Sequence, residues 1–270
     1  MIPMADENPV RRIPWVTLLL IATCVVVYFA VQPTGTPKLS WTGFAERIDD
    51  DDLRFVVDNA AIPCELIKGR PLTEREFQQT FRSRDGDPSS CGDATGPAHS
   101  PGKVVLLGLL TTMFLHGSIP HLFGNMLFLW VFGNNVEDQR GWWRYLLLYV
   151  VGGAVATAAH VAVDPNSTVP IVGASGAIAA VMGAYFVLCP SVRVKTIIFV
   201  GPLLLRKVQA LWLLLVWFGT QFLLVASDSG IAWAAHVGGF AFGAVVGLWW
   251  RWRDRQRPAP VAVTVIPAPA

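Results

Sequence analysis

The chain alternates between long apolar runs and segments rich in polar residues. The apolar runs cover residues 15–31, 120–134, 143–163, 175–188, 209–226 and 231–252. A helix needs about 20 apolar residues to cross a bilayer unaided, and several of these runs are shorter. A short helix among longer neighbours is shielded from lipid and leaves room for a water-filled cavity above its end. The pattern predicts an all-α polytopic membrane protein with a six-transmembrane-helix bundle.

Residues 104–115 form a further apolar run, which is only about two-thirds of a span. It leads into the helix-breaking string His116-Gly-Ser-Ile-Pro120. We expect a re-entrant or interfacial segment, because a full extra span would place the arginines of 251–257 outside. The predicted organisation is a cytoplasmic N-terminus (1–14), a first transmembrane helix (15–31), an extracytoplasmic loop (32–119), a core of five transmembrane helices (120–252) and a disordered cytoplasmic tail (253–270).

Composition agrees with a membrane protein, since 53% of the residues are hydrophobic and 15% are charged. A soluble domain carries about 25% charged residues. The net charge of +2 gives no basis for nucleic-acid binding. The first apolar run follows Arg11, Arg12 and Pro14 and has no small-residue cleavage site, so we interpret it as a retained anchor.

Basic residues set the orientation, because cytoplasmic loops carry an excess of Lys and Arg. With the N-terminus inside, the short outer loops at 164–172 and 227–230 contain neither residue. The inner segments hold Arg11, Arg12, Arg140, Arg144, Arg193, Lys195, Arg206, Lys207, Arg251, Arg253, Arg255 and Arg257. Both termini are therefore predicted to be cytoplasmic.

Four polar residues are predicted to converge near the outer surface. His121 and Asn125 lie four residues apart, on one face of the second span. Ser175 opens the fourth span, and His236 lies a few residues into the sixth. At 1.5 Å per residue, all four lie within roughly 10 Å of the outer surface.

Ser175 and His236 are the minimum set for nucleophilic catalysis, in which the imidazole accepts the hydroxyl proton. Gly173 and Gly176 allow a sharp bend and close approach of a substrate carbonyl. A serine at a helix start lies beside free N–H groups that can stabilise an oxyanion, and His121 and Asn125 can add side-chain donors. The predicted spans contain no acid in their cores, which favours a dyad.

Each residue also has a structural interpretation. Ser175 can be an ordinary N-cap, His236 a packing residue, and His121 and Asn125 a polar contact between helices. Gly239, Gly243 and Gly247 recur every four residues and predict close packing of the sixth helix on the small residues of the fourth. The structural interpretations leave the common depth of the four polar groups unexplained.

These residues resemble the rhomboid family of intramembrane serine proteases. The matching strings are His116-x4-His121-x3-Asn125, Phe132-Gly133 with Glu137 and Gly141, Gly173-Ala-Ser175-Gly176, and Ala235-His236-x2-Gly239-x3-Gly243. They occur in family order within about 106–252.

The resemblance implies a six-helix bundle in which Ser175 is the nucleophile and His236 the general base. It implies that His121, Asn125 and the Ser175 N–H form the oxyanion site, with no cofactor and no metal. Its substrates would be single-span or other transmembrane proteins in the bilayer, cut near the outer end of their helix. Glu137 corresponds to an acid that we expect to be structural. A bacterial plasma membrane is the expected location.

Two other functions stay open at this stage. One is a non-catalytic relative that binds and escorts transmembrane helices. The other is a transporter or channel with the histidines in a proton path, which the missing membrane-core acid and inverted repeat disfavour. By resemblance, the fifth span, with Trp212, Trp217, Phe218 and Phe222, is the candidate lateral gate for substrate.

The long loop is expected to be a lid or brace beside the bundle. Cys64 and Cys91 lie outside, where a disulfide can form. The alternative for them is a zinc site with His99 or His116. The acidic run 49–52 is interpreted as solvated, with a calcium site as the alternative.

Overall fold

The computed structural model describes residues 1–33, 50–83, 89, 91–92, 95–199, 203–225 and 232–256. Helices occupy every predicted apolar run. The helices are α1 (Trp15–Val26), α2 (Asp50–Asn59), α3 (Pro63–Lys68), α4 (Glu74–Phe81), α5 (Gly108–Thr111), α6 (Ile119–Phe128), α7 (Asn134–Arg140), α8 (Trp142–Val163), α9 (Ser175–Leu188), α10 (Ala210–Val225) and α11 (Trp233–Arg255). Single π-helical turns at Val27–Val31 and Leu129–Gly133 extend α1 and join α6 to α7.

By length and composition, two of the described helices can cross a membrane. They are α8, with 22 residues and mean hydropathy 2.0, and α11, with 23 residues and mean hydropathy 1.2. A third candidate is the segment from Val105 to Phe114 taken with Ile119–Arg140, which is bent by 81° at its break. α1, α9 and α10 are apolar but shorter. The bend is consistent with the predicted re-entrant segment.

The all-α prediction is wrong in one respect, because the chain also forms a three-stranded antiparallel sheet. The strands are β1 (Ile2–Asp6), β2 (Arg193–Phe199) and β3 (Leu203–Gln209), in the order β1-β2-β3. In the register of the sheet, Ile2 pairs with Ile197 and Lys195 with Lys207. β1 was predicted as plain N-terminal sequence, since its residues pair with residues 188 to 195 positions further along the chain. Gln209, predicted to start the fifth span, is the last residue of β3.

The sheet is tied to the bundle through Asp6. Its carboxylate accepts hydrogen bonds from the Tyr185 hydroxyl at 2.8 Å and from Asn135 Nδ2 at 2.6 Å. Burial raises the pKa of this carboxyl. The N-terminal strand is therefore part of the packed protein at the end of α9 opposite Ser175.

The second apolar helix does not end at the predicted residue 134 but continues through α7 to Arg140. Buried Glu137 explains the extension, because its carboxylate accepts hydrogen bonds from the Val16 and Thr17 N–H groups at 2.9 and 2.8 Å. Pro14 precedes α1 without a side-chain cap, so Glu137 satisfies orphan donors at that helix start. The sixth helix likewise runs past the predicted boundary at residue 252 to Arg255, and residues 257–270 lie outside the described part of the chain.

α9 is buried at the centre of the bundle and meets α11 backbone to backbone. A Cβ on Gly239 would collide with the Gly176 carbonyl, and one on Gly243 with the Ala180 carbonyl. On α9, a Cβ on Gly183 would collide with the Phe240 carbonyl. Small residues that let helix backbones touch are typical of membrane helix pairs. The relative position of α9 and α11 is consequently tightly constrained.

The long loop contains α2, α3 and α4, which surround a small apolar cluster of their own. A disulfide joins Cys64 to Cys91, so the zinc alternative has no free thiolates at these positions. His99 instead bonds Glu74 through Nδ1 at 2.7 Å and stacks on Phe77.

The acidic run is not uniformly solvated. Asp51 is exposed, but Asp52 is buried on the face of α2 that is turned towards the protein. Residue 49 lies outside the described residues, and the Asp50 side chain does too. The solvated interpretation is therefore wrong for Asp52.

The loop also holds the segment that leads to Ser175. The Ile171 N–H donates to the Ala61 carbonyl at 2.8 Å, and the Thr112 hydroxyl donates to the Ile171 carbonyl. A buried ion pair of 2.5 Å between Lys103 and Glu65 fixes the other side of the loop. The loop therefore packs against the end of the bundle at which Ser175 lies.

Candidate active site

Ser175 and His236 face each other across the contact between α9 and α11. The distance from Ser175 Oγ to His236 Nε2 is 2.8 Å. Ser175 is the first residue of α9 and His236 lies in the first turn of α11, so both are at the same end of the bundle. The glycine contacts between the helices bring the two side chains together. In this geometry the serine hydroxyl can donate its proton to a neutral Nε2.

A third side chain holds the imidazole from the opposite edge. Gln221 of α10 lies with Oε1 2.7 Å from His236 Nδ1. Its amide Nε2 donates to the Trp217 carbonyl at 3.0 Å, which leaves Oε1 as the acceptor facing the imidazole. His236 then carries its proton on Nδ1 and presents the lone pair of Nε2 to Ser175.

Gln221 is not among the residues predicted from the sequence. The dyad prediction rested on the absence of an acid from the predicted spans, and an amide was not considered as a partner of His236. The available signal was a single buried amide in an otherwise apolar helix, flanked by the exposed residues Thr220 and Phe222. An amide takes the position that an acid occupies in a Ser–His–Asp triad.

His121 and Asn125 lie on α6 against Gly173, two residues before Ser175. A Cβ placed on Gly173 would be 2.8 Å from His121 Nε2 and 3.6 Å from Asn125 Nδ2. Gly173 has φ +124°, a conformation that favours glycine, and its N–H donates to the Thr112 carbonyl at 3.1 Å. Glycine is thus required here for both backbone conformation and space.

Asn125 presents an unused donor at this position. The residue is 8% exposed, and Nδ2 has no hydrogen-bond partner among the described residues. A buried amide group without a partner is costly, so its presence calls for a ligand or substrate group that accepts the bond. A developing oxyanion beside Ser175 is such a group.

His116 lies behind the candidate oxyanion site. Its ring is buried and meets the His121 ring edge-on, with 5.3 Å between centroids. Gln32, at the end of the first helix, brackets the His116 backbone: the His116 N–H donates to Oε1 at 3.0 Å and Nε2 donates to the His116 carbonyl at 3.1 Å. The sequence analysis did not predict a role for Gln32, because this residue lies just past the first apolar run.

The aromatic residues of α10 divide into two groups. Trp217 and Phe218 turn inward, where Trp217 lies 6.0 Å from the His236 ring and Phe218 lies 4.9 Å from the Phe240 ring. Trp212 and Phe222 are more than half exposed, on the side of α10 that faces away from the bundle. Trp217 therefore lies beside the His236 ring on the α10 side, and Phe218 packs against Phe240 of α11.

Comparison with known proteins identifies the class. The rhomboid domain model matches residues 104–253, which is more than half of the chain and includes every candidate site residue. The protein therefore belongs to the rhomboid family and is a membrane protein.

Curated relatives come from bacteria, plants and animals. The chain is 31% identical over 140 residues to the rhomboid protease GluP of Bacillus subtilis, an alignment that covers 52% of this chain and 26% of that protein. It is 27% identical over 232 residues to the mitochondrial RHOMBOID-like protein 12 of Arabidopsis thaliana, covering 78% and 62%. It is 28% identical over 210 residues to the mitochondrial presenilin-associated rhomboid-like protein A of Danio rerio, covering 75% and 48%. The chain thus spans less than two-thirds of the length of each of these relatives.

Proposed function

We propose that this chain is an intramembrane serine endopeptidase that uses Ser175 as nucleophile and His236 as general base. The observation that carries the proposal is the 2.8 Å contact between Ser175 Oγ and His236 Nε2, with Nδ1 of the same ring bonded to Gln221. A serine that is only an N-cap needs no such imidazole. The match to a bacterial protein named a protease gives independent support.

The reaction follows from this geometry. Ser175 Oγ attacks the substrate carbonyl carbon while its proton passes to His236 Nε2, and the carbonyl oxygen becomes an oxyanion. The carbon–nitrogen bond then breaks, and the imidazolium proton goes to the leaving amine. Water, activated by the same imidazole, hydrolyses the acyl-enzyme ester and restores the serine.

The oxyanion is held by the Ser175 N–H at the start of α9 and by side-chain donors of His121 and Asn125. Donors aimed at the developing charge stabilise a transition state by about 3 to 4 kcal/mol each in known hydrolases. Asn125 Nδ2, which is buried and lacks a partner among the described residues, is prepared for this role.

The proposed substrates are single-span or other transmembrane proteins, cut near the extracytoplasmic end of their helix. Ser175 and His236 lie at one end of their helices, so only a peptide bond near that membrane surface can reach them. A helical peptide bond is shielded by its own hydrogen bonds, so helix-loosening residues must open it before attack. The proposal includes six membrane spans with both termini in the cytoplasm.

The relatives also bear on the cellular location and on a second candidate function. The relatives include bacterial and mitochondrial proteins, so they give no support to a bacterial plasma membrane in particular. Some relatives carry names that mention no protease activity. The second candidate function is therefore a non-catalytic protein that binds and escorts transmembrane helices, which the Ser–His contact disfavours.

The test is cleavage of a single-span substrate in proteoliposomes by the wild type, Ser175→Ala and His236→Ala. A serine-directed phosphonate labels Ser175 in parallel. We expect cleavage and labelling by the wild type alone, with both variants still folded. Cleavage by Ser175→Ala at the wild-type rate would overturn the proposal. A folded wild type that binds the substrate but is neither active nor labelled would establish the helix-binding alternative.

A further inference from the structure

We propose that Gln221 is a positioning residue for His236, so that the position of α10 determines whether the Ser–His pair is ready to react. This inference rests on the proposed function and deepens it. The two nitrogens of the His236 imidazole contact side chains on two different helices. Nε2 faces Ser175 of α9, and Nδ1 faces Gln221 of α10.

Packing alone does not explain why the buried position 221 carries an amide side chain. Gln221 is 4% exposed in a helix made almost wholly of apolar residues, where a leucine would fill the same volume without polar groups. Its Nε2 is satisfied inside the helix by the Trp217 carbonyl, but Oε1 needs a donor from elsewhere. His236 Nδ1–H is the donor that the structure provides.

The bond selects the reactive tautomer. A proton held on Nδ1 leaves Nε2 as a hydrogen-bond acceptor, which the serine hydroxyl requires. Without an acceptor beside Nδ1, the proton can reside on Nε2, and the ring can rotate about its side-chain bonds. Either change removes the base from Ser175 without moving α9 or α11.

The Ser175–His236 bond joins α9 to α11, and the Gln221–His236 bond joins α10 to α11. The first pair of helices is packed more tightly than the second. Ser175 and His236 sit on helices whose backbones touch at Gly239 and Gly243. α10 contacts α11 mainly through aromatic rings, Trp217 and Phe218 against Phe240. Displacement of α10 would carry Gln221 away from His236 Nδ1 while the backbones of α9 and α11 stay in contact, and the imidazole would then no longer be held towards Ser175. Docking of α10 is thus the step that completes the site.

Three variants test the assignment, with phosphonate labelling of Ser175 and substrate cleavage as readouts. Gln221→Leu removes the acceptor, and we expect kcat and the labelling rate to fall about 100-fold with KM almost unchanged. Gln221→Glu retains an acceptor and adds charge, which stabilises the imidazolium. It should restore most of the rate and move the acid limb of the pH–kcat profile to higher pH by about one unit. Gln139→Leu, the same substitution at an exposed site on α7, controls for a general effect and should change neither readout.

The outcomes separate a positioning role from a structural one. If Gln221→Leu labels at the wild-type rate per folded molecule, or if Gln221→Glu leaves the pH–kcat profile in place, Gln221 does not position His236. If Gln221→Leu does not fold, the Gln221→Glu profile decides alone, because it keeps the size and the acceptor. Failure of the proposed function is distinct, since the wild type itself would then show no labelling of Ser175.

Discussion

Replacing Gly173 with alanine should damage the candidate oxyanion site while leaving the Ser175–His236 contact in place. Gly173 has φ +124°, where a residue with a Cβ is strained by about 1 to 3 kcal/mol. The new methyl group would lie 2.8 Å from both Cε1 and Nε2 of His121. Non-bonded carbon atoms prefer about 3.5 to 4.0 Å, so the imidazole must retreat by roughly 1 Å.

That displacement has a calculable effect on rate. A misplacement of about 1 Å can lower a rate about 100-fold, and complete loss of an oxyanion donor lowers kcat about 100- to 1000-fold. We therefore expect kcat of Gly173→Ala to fall at least about 100-fold, with a loss of about 1 to 3 kcal/mol in unfolding free energy. The assay is cleavage of a single-span substrate in proteoliposomes, with thermal unfolding measured on the same preparations.

Gly141 provides a matched control. It also has positive φ, +81°, but no described atom lies within 4 Å of the position its Cβ would occupy. Gly141→Ala should lose comparable stability and keep its kcat. The reasoning is refuted if Gly173→Ala and Gly141→Ala lose stability alike and both cleave at the wild-type rate, because His121 would then contribute nothing that depends on its position.

Three further predictions concern the parts that support the site. Glu137→Ala removes the carboxylate that caps α1 and should lower the unfolding free energy by about 2 to 3 kcal/mol, measured by denaturation in detergent; an unchanged midpoint would contradict the capping role. Cys64→Ser with Cys91→Ser opens a loop of 27 residues and should destabilise the outer loop by about 3 to 4 kcal/mol, visible as faster amide exchange in α3 and α4. Burial of Glu76 acts to raise its pKa, but hydrogen bonds from Arg70 and from backbone N–H groups outweigh it and lower the pKa to about 2. The stability from this group is present above pH 4.5 and should be lost as pH falls from 4.5 towards 2, and Glu76→Gln should abolish that dependence.

The positions of the apolar helices follow from local sequence. The first helix with its π turn covers residues 15–31, and α9 covers 175–188, as the apolar runs predict. Hydropathy predicts these helix positions because the free energy of moving an apolar side chain out of water depends on that side chain alone. The helices continue past the ends of the apolar runs at residues 134 and 252, where charged residues such as Glu137 and Arg140 have partners far away in the sequence.

The sheet illustrates the opposite case. β1 is five residues long and pairs with β2 from the other end of the chain. Nothing within such a short segment indicates that its hydrogen-bond partner exists, because strand pairing is a long-range contact. The Glu137 cap on α1 escaped prediction for the same reason, although the residue itself was expected to be structural.

The candidate site combines both kinds of information. The topology derived from charge and hydropathy predicts that Ser175, His236, His121 and Asn125 share one depth, since each depth follows from position along a span. Gln221 lies in the same kind of apolar run, but its role depends on which face of α10 meets α11. Rotation of one helix about its axis is set by side-chain packing across the interface, which no local pattern records.

By itself, the sequence determined the membrane class, the helix positions and the polar groups that could do chemistry, because these depend on residue type and spacing. Only the tertiary structure decided that His236 meets Gln221, that Glu137 caps α1 and that a sheet packs at the end of α9 opposite Ser175. Each of these is a directional hydrogen-bond contact between segments far apart in sequence, and its geometry exists only once the helices have packed.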